Sequence, residues 1–437
     1  MAVPRHPRGL VHATPGRNRH VLDPSVPVVL LRIDPNPFHH GTLGAVRSLG
    51  RCGVEVHVAA EADRSPVARS RFVSQMHPPP PPGAPPAEIA AALRRIAARI
   101  ARPAVLIPMD DAGAIAVSRL GEALTGTFLL PEQPGHLAER VADKALLPGL
   151  CRSAGIAHPA TVEPRDESEA AAAVGDLGTP VVAKWSRPWL LPPDAGLRST
   201  SLISTPHEAR SLYRRGLGTG SALLLQKHLA PGGGDWFCHG YADGHGRLHG
   251  GGSGSKHRAW PRGAGLTAVG RWTPVPELRA MVERLVAELG YRGIFDIDFR
   301  IDPETGRYCL LDFNPRPGAQ FRLFADADGL DVVRAQYLDL THQRLPAGRA
   351  LPGRTFVVEN YAPLSALRAL ASAPPRELAW HAPDDPAPAR HMAAEWSRHA
   401  LRRLLRRSAP APAALPGHRT EPPVAARATE TERKASC

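Results

Sequence analysis

The sequence predicts an α/β protein: a parallel, doubly wound sheet first, a second half organised around one β-hairpin, and a helical C-terminal extension. Three observations carry this. Between residues 24 and 131 short apolar runs alternate with stretches of helical spacing, the pattern of βαβ units. In Tyr291–Pro317, Phe295, Ile297, Phe299 and Ile301 alternate with Asp296, Asp298, Arg300 and Asp302, as in a strand with one face in a core. After residue 345 the chain thins to short helical patterns and ends in a Pro/Ala-rich run.

In order, residues 1–23 read as a disordered tail, polar and rich in Pro and Arg. Val26–Ile33 is long enough for a buried strand, Leu43, Val46 and Leu49 mark a helix ended by Gly53, and Val54–Val58 is a second strand. The loop after the first strand lies where open α/β sheets bind ligands. Its His39 and His40 read either as substrate contacts or as ordinary loop residues. Gly41-Thr-Leu-Gly44 lacks the dinucleotide pattern G-x-G-x-x-G. A Pro-rich connection (78–86), a helix (89–100), a strand (104–108), a helix (112–124) and a strand (128–130) complete residues 24–131.

The second half spans residues 132–345. A helix over 141–155 carries Lys144, and a short helix follows at 166–174. Thr179–Trp185 is a strand with Lys184 in apolar company, a costly placement unless the ammonium meets an anion. Leu223–Leu225 is another strand, followed by Gln226, Lys227 and Leu229, a Gly-rich turn with Asp235, and a strand from Trp236. The Gly250–Ser255 run reads as flexible, with Lys256 and Arg258 beside it either to close on an anion or to sit in a solvated loop. Leu278, Met281, Val282, Leu285 and Val286 mark an amphipathic helix over 276–289, capped by Gly290. Residues 346–407 form the extension, with a basic helix over 389–407, and 408–437 a second disordered tail.

Composition bounds the function. With 437 residues there is room for two or three domains. No run of about eighteen apolar residues is present, so no transmembrane helix is expected. The first 22 residues lack an apolar core, so no secretory signal is expected. Cys52, Cys151, Cys238, Cys309 and Cys437 are scattered without CxxC spacing, which fits a cytoplasmic protein and argues against a disulfide framework or zinc site. The net charge of +13 comes without any nucleic-acid-binding signature, so no nucleic-acid partner is expected.

The chemistry concentrates in the hairpin. Asp302-Pro-Glu-Thr-Gly306 is turn chemistry and Tyr308–Asn314 the returning arm. A turn centred near Thr305 puts Asp298 opposite Asp312 and Asp296 near Asn314. Facing carboxylates destabilise a sheet unless something positive joins them. An all-oxygen set suits a hard cation such as Mg²⁺, and Arg316 follows on the same side. A solvated polar face with Arg316 as counterion is the other reading.

Asp298…Asp312-Phe-Asn314-Pro-Arg316 resembles the metal-binding end of the ATP-grasp superfamily, with Asp312 where Glu is more usual. The upstream order also resembles that family: Lys144, then Lys184 in a Pro-Val-Val-x-Lys strand, then Gln226-Lys-His-Leu229 in place of an E-K-x-L hinge. Ser186–Ser201, in place of the family's Gly-rich flap, has one glycine. The resemblance covers roughly residues 135–325 and implies an N-terminal Rossmann-like pre-ATP-grasp domain followed by an ATP-grasp fold with α+β subdomains.

What the resemblance implies for chemistry is specific. Lys144 and Lys184 would meet the phosphates of ATP. Gln226, Lys227 and Leu229 would line the adenine hinge. Asp235 would accept from the ribose or simply cap a turn. Asp298, Asp312 and Asn314 would hold Mg²⁺ or Mn²⁺, with Arg316, Lys256 and Arg258 as catalytic cations. The reaction implied is that of a carboxylate–amine ligase acting on a small carboxylate and an amine through an acylphosphate, in an enzyme that is often a homodimer. A bicarbonate-activating enzyme and a non-catalytic nucleotide-binding scaffold are the alternatives.

Overall fold

The computed structural model describes residues 22–408 apart from 62–64, 193, 261–264 and 372–375. The tails expected at the two ends lie almost wholly outside the described residues.

Every residue of strand β1 (Val28–Leu31) is fully buried, because alternate side chains serve two cores. Val28 and Leu30 face one cluster; Val29 and Leu31 face the other. A strand covered on both faces needs no polar alternation. With β2 (Val56–Ala59), β3 (Gln75–His77), β4 (Ala104–Pro108) and β5 (Phe128–Leu129) it forms a parallel sheet in the order β3-β2-β1-β4-β5. Helix α1 (His40–Gly50) covers one face and α2 (Pro86–Ile100) the other, with α3 (Asp111–Arg119) and α4 (Gly121–Leu124) where one helix was expected. Strand β3 escaped the sequence reading because three residues with two polar side chains show no period.

Two further helices, α5 (Leu137–Ala142) and α6 (Leu147–Ser153), replace the expected helix over 141–155. Lys144 therefore lies in the turn between them. Pro148 is the reason: a proline inside a helix clashes with the carbonyl four residues back, and here it opens α6 instead.

The second sheet is antiparallel, in the order β6-β9-β7-β8, with β6 (Thr161–Val162), β7 (Val181–Trp185), β8 (Thr200–Ile203) and β9 (Leu223–Lys227). Helices α7 (Glu167–Leu177) and α8 (Pro206–Gly216) cover one face, burying Ala170, Val174 and Ala209 against Val181, Ala183 and Trp185. The other face is left for Lys184 and Gln226. Helix α8 was missing from the sequence reading although Thr205 and Glu208 form a capping box that the sequence displays.

The third sheet runs β14-β13-β10-β11-β12-β15-β16, from β10 (Asp235–Ala242), β11 (Leu248–Trp260), β12 (Leu266–Trp272), β13 (Gly293–Ile301), β14 (Tyr308–Asn314), β15 (Thr355–Val357) and β16 (Arg376–Leu378). Helix α9 (Pro276–Leu289) packs with α5 and α6 under one face. Helix α10 (Val332–Leu340) shares the first core with α1 on the other. Helices α11 (Pro363–Ala371) and α12 (Ala387–Ser408) follow.

The Gly250–Ser255 run is not a flexible loop but the middle of β11. Its glycines are demanded by packing. A Cβ on Gly251, at φ +71°, would lie 2.0 Å from the His239 carbonyl oxygen at a bulge, and one on Gly254 would meet the Phe237 ring at 2.7 Å.

The segment after β16 is pinned to the first sheet. The buried Arg47 of α1 donates to Asp385 Oδ2 at 2.9 Å and to the carbonyls of Trp380 and Asp385 at 2.8 Å. The chain divides into two compact units after Ala394, and all of the above except the distal part of α12 belongs to the first. The second, within the described residues, is the distal part of α12, where Glu395 and Arg398 pair. The side chains of Arg402, Arg403, Arg406 and Arg407 are outside the described set. Among the described residues no helix is long and apolar enough to cross a membrane.

The two histidines after β1 serve the fold. His39 caps α1, its Nδ1 accepting from the Thr42 amide at 3.1 Å. His40 sits among Phe356, Tyr361 and Trp380, with an unpartnered Nε2. Burial lowers its pKa to about 4. Between pH 6.5 and 4 the unfolded chain binds a proton that the folded chain refuses, so stability is lost as pH falls through that window, by about 3 kcal/mol in full. His40→Phe should flatten the pH dependence of the denaturant midpoint over this range; an unchanged slope would show that His40 titrates normally.

Candidate active site

The hairpin register decides which side chains meet. Strand β13 pairs with β14 so that Asp296 faces Asn314 and Asp298 faces Asp312, the pairing expected from the turn. On its other side β13 pairs with β10, setting Asp298 beside Phe237, Asp296 beside His239 and Arg300 beside Asp235. Strand β11 adds Lys256 beside Asp235. Cross-strand partners share a face. One face of the sheet thus carries Asp312, Asn314, Asp298, Asp296, His239 and Lys256. The opposite face holds Phe295, Ile297, Phe299 and Phe313 in the core over α9.

The second sheet brings the cations. Lys184 is buried and reaches Asp312 Oδ1 at 3.4 Å and the Leu311 carbonyl at 3.1 Å. Lys144 reaches the same carboxylate oxygen at 2.5 Å. Its turn is fastened to the end of β7, the Lys144 amide donating to the Ser186 carbonyl at 2.9 Å and Arg187 holding Asp143 at 2.7 Å. Burial raises the Asp312 pKa, but the two lysines outweigh it and hold the carboxyl at about 2. Burial lowers the Lys184 pKa, offset in part by Asp312. Asp298 goes the other way: burial, then the neighbouring Asp296 and Asp312, opposed by Lys256, push it up to about 6.

Asp296, which the sequence reading used only to set the register, is a hub. Its Oδ2 accepts from Arg316 Nη1 at 2.7 Å, and its Oδ1 lies 2.9 Å from His239 Nε2. Its backbone carbonyl accepts from Asn314 Nδ2 at 3.1 Å, which leaves the Asn314 amide oxygen free of that bond. Arg316 Nε also lies 3.3 Å from Asp111 Oδ1, at the start of α3. His239 and Asp111 were missed. Asp111 sits at the carboxyl end of β4, where an open sheet offers its ligands, and that signal was legible.

The remaining predicted residues fall around the cleft. Gln226 is buried, donating to Thr161 Oγ1 at 3.0 Å, with His158 Nε2 at 3.5 Å. Burial, with Lys184 nearby, lowers the His158 pKa to about 4. Leu229 is buried and its carbonyl accepts from Arg300 at 2.9 Å; Arg300 also holds Asp235 at 2.5 Å. Lys227 points outward to Glu304 at 2.8 Å. Lys256 donates to the Gly265 carbonyl at 3.2 Å, and Arg258 reaches Ser365 of α11 at 3.3 Å. In the segment expected as a flap, Arg198 is tied by its carbonyl to Trp185 Nε1 at 3.0 Å, and Thr200 and Ser201 pair with β7.

The donor set fits a hard cation. Among the described residues no three His, Cys, Asp or Glu side chains converge as a ready cage. Mg²⁺ does not require one: it is held through one or two carboxylates, with water and substrate phosphate completing its shell. Asp298 and Asp312 with the Asn314 oxygen supply that kind of set.

Comparison with known proteins places the fold. No protein-family profile matches the chain, and no curated protein matches its sequence. Solved structures do match. N5-carboxyaminoimidazole synthetase from Staphylococcus aureus superposes with a TM-score of 0.55 at 14% identity, covering 76% of this chain and 81% of that one. The biotin carboxylase domain of 2-oxoglutarate carboxylase from Hydrogenobacter thermophilus, solved with MgADP, ADP and bicarbonate, gives 0.52 at 18%, covering 74% and 71%. L-amino acid ligase from Bacillus licheniformis gives 0.54 at 13%, covering 73% and 75%. The chain has the ATP-grasp fold.

Asp312→Asn should leave two ammonium groups beside a neutral amide. In chelator at pH 7 the expected loss is about 1–3 kcal/mol, below the value for a fully buried pair because all three groups retain some exposure. Guanidinium melts measure it; unchanged stability would show that solvent already neutralises the lysines.

Proposed function

We propose that the protein is an ATP-dependent ligase that activates a small carboxylate as an acylphosphate, releases ADP, and joins the acyl group to an amine. The observation that carries this reading is the meeting of Lys144 and Lys184, from a separate part of the chain, with the Asp298–Asp312–Asn314 face of the third sheet. Opposed cations and oxygen ligands across a cleft are what phosphoryl transfer needs, since its catalysis is mostly positioning and charge neutralisation.

Each group has a task in this reading. Lys144 and Lys184 exchange Asp312 for the phosphates of ATP when nucleotide enters. Asp298, Asp312 and Asn314 hold Mg²⁺, which neutralises charge on the transferred phosphoryl group. The segment from Gln226 through Lys227 to Leu229, where β9 ends, faces the base, chiefly through backbone groups, because the Gln226 amide is committed to Thr161. Asp235 is the ribose acceptor, sharing its charge with Arg300. Arg316 faces the acylphosphate as it forms and, once the amine attacks, the negative charge on the tetrahedral intermediate's oxygen. Lys256, on the same sheet face, meets the anionic substrate, and Arg258 stands at the rim. The carboxylate attacks the γ-phosphorus, the β–γ bridging oxygen leaves with ADP, and the amine then displaces phosphate.

Turnover of Mg-ATP with pools of amino acids, small carboxylates and bicarbonate, resolving ADP from AMP, tests the reading. ADP and phosphate should appear only with a pool, and Asp312→Ala should lower kcat by at least about 100-fold, as expected when a charge-stabilising group is lost. AMP and pyrophosphate would overturn it. If bicarbonate alone sufficed, the enzyme would be of the carboxylating kind.

A further inference from the structure

Arg316 is one of three cations paired with the carboxylate face, beside Lys144 and Lys184, and several groups hold it. The guanidinium Nη1 donates to Asp296 Oδ2 at 2.7 Å and to the Pro317 carbonyl at 3.3 Å. Its Nε lies 3.3 Å from Asp111 Oδ1, an oxygen that is buried and makes no hydrogen bond. Behind Asp296 stands His239, whose side chain is fully buried. His239 Nε2 and Asp296 Oδ1 are 2.9 Å apart, an ion-pair distance without hydrogen-bond alignment, and His239 Nδ1 has no hydrogen-bond partner.

Gly318 closes over this pair. A Cβ there would fall 2.2 Å from His239 Cε1 and 2.8 Å from the Asp296 carboxyl carbon, so the turn after Arg316 lies directly on the pair. His239 therefore cannot reach a substrate. The groups come from three places: β10 and β13 of the third sheet, the turn after β14, and the carboxyl end of β4 in the first sheet. Arg316 itself keeps 19% of its side-chain surface open.

Two carboxylates on one guanidinium exceed what neutralisation requires. They do, however, act on it from two sides, Asp296 through a hydrogen bond at Nη1 and Asp111 as an ion pair at Nε. A cation that must meet charge developing at one atom gains from being fixed beforehand.

We propose that Asp111, Asp296 and His239 are positioning residues that lock the Arg316 guanidinium in the cleft, so that the first sheet contributes a carboxylate to chemistry performed on the third. The inference rests on the ligase reading for the use made of Arg316, though not for its geometry. Asp111 gives the first sheet a part in the phosphoryl-transfer step beyond binding substrate. His239 orients Asp296, and Asp296 and Asp111 orient Arg316.

The test has two arms. In protein labelled at arginine nitrogen, exchange of the Arg316 Nε–H with water is followed by NMR, the signal being assigned by its loss in Arg316→Lys. Slow exchange in the wild type, accelerated at least about tenfold in Asp111→Asn and in His239→Gln, is expected; rates equal to those of exposed arginines in the wild type would overturn the lock. The second arm is formation of ATP from Mg-ADP and acetyl phosphate, in which the phosphoryl group passes to ADP and acetate leaves. Asp111→Asn should lower kcat roughly 10- to 100-fold, the effect of a misplaced catalytic group, with KM for ADP unchanged. Asp111→Glu should restore part of the rate. Equal loss in kcat and in ADP affinity, or no loss, would overturn the positioning role. Asp111 is partly exposed, which keeps the test available if Asp296→Asn fails to fold. A wild type that forms no ATP would count against the ligase reading, while the exchange arm would still decide the lock.

Discussion

The carboxylates of the third sheet cannot stand alone. Asp296, Asp298 and Asp312 share one face of two paired strands, and Asp298 is close enough to the other two to feel their charge. The fold meets this by borrowing cations from elsewhere: Lys144 from the turn before α6, Lys184 from the second sheet, and Arg316 from the chain just past the hairpin. Of the three, Asp298 is the one whose pKa rises, chiefly through burial and then through its two acidic neighbours. The cleft between the sheets is held by that mutual need as well as by apolar packing, and a cation entering it relieves the remaining charge.

The apolar frame explains why these groups stay where they are. The rear face of the hairpin is a nearly continuous aromatic layer, with Tyr291, Phe295 and Phe313 in contact at 5.2–6.2 Å between ring centres. The front face narrows to glycine wherever a ring must lie on backbone, as Phe237 does on Gly254. A single core then runs from β1 and α1 through Phe321, Phe324 and Tyr337 to Trp380. The first sheet is thus packed against the half of the chain that carries the site, which lets Asp111 and Arg316 meet.

Fold and chemistry separate cleanly in this protein. At 13–18% identity to the matching structures, shared architecture says little about which substrate is used. The hydrogen-bonded amide of Gln226 and the single glycine in Ser186–Ser201 depart from the pattern expected of the proposed nucleotide side. The carboxylate face, by contrast, brings Asp296, Asp298, Asp312 and Asn314 together with Lys144, Lys184 and Arg316.

Much of this was legible in the chain. Strict alternation over Phe295–Ile301 and the Asp302–Gly306 turn pointed to the pairs Asp296–Asn314 and Asp298–Asp312, which the structure has, but it reaches them through a register shift between Asp298 and Phe299 that no local pattern displays. The helix over Pro276–Leu289 and the strand over Ala104–Pro108 came out with their observed ends, since period, proline and glycine all agree there. Short polar strands such as Gln75–His77 have no period to read, and the glycines of β11 look mobile until the rings above them are known. The largest gap concerns contacts between distant segments. That Lys144 and Lys184 share one oxygen, that Asp235 belongs to Arg300, and that Asp111 and His239 stand behind Arg316 depend on how three sheets are brought together. Local pattern fixes which face a side chain takes; only tertiary packing decides what it faces.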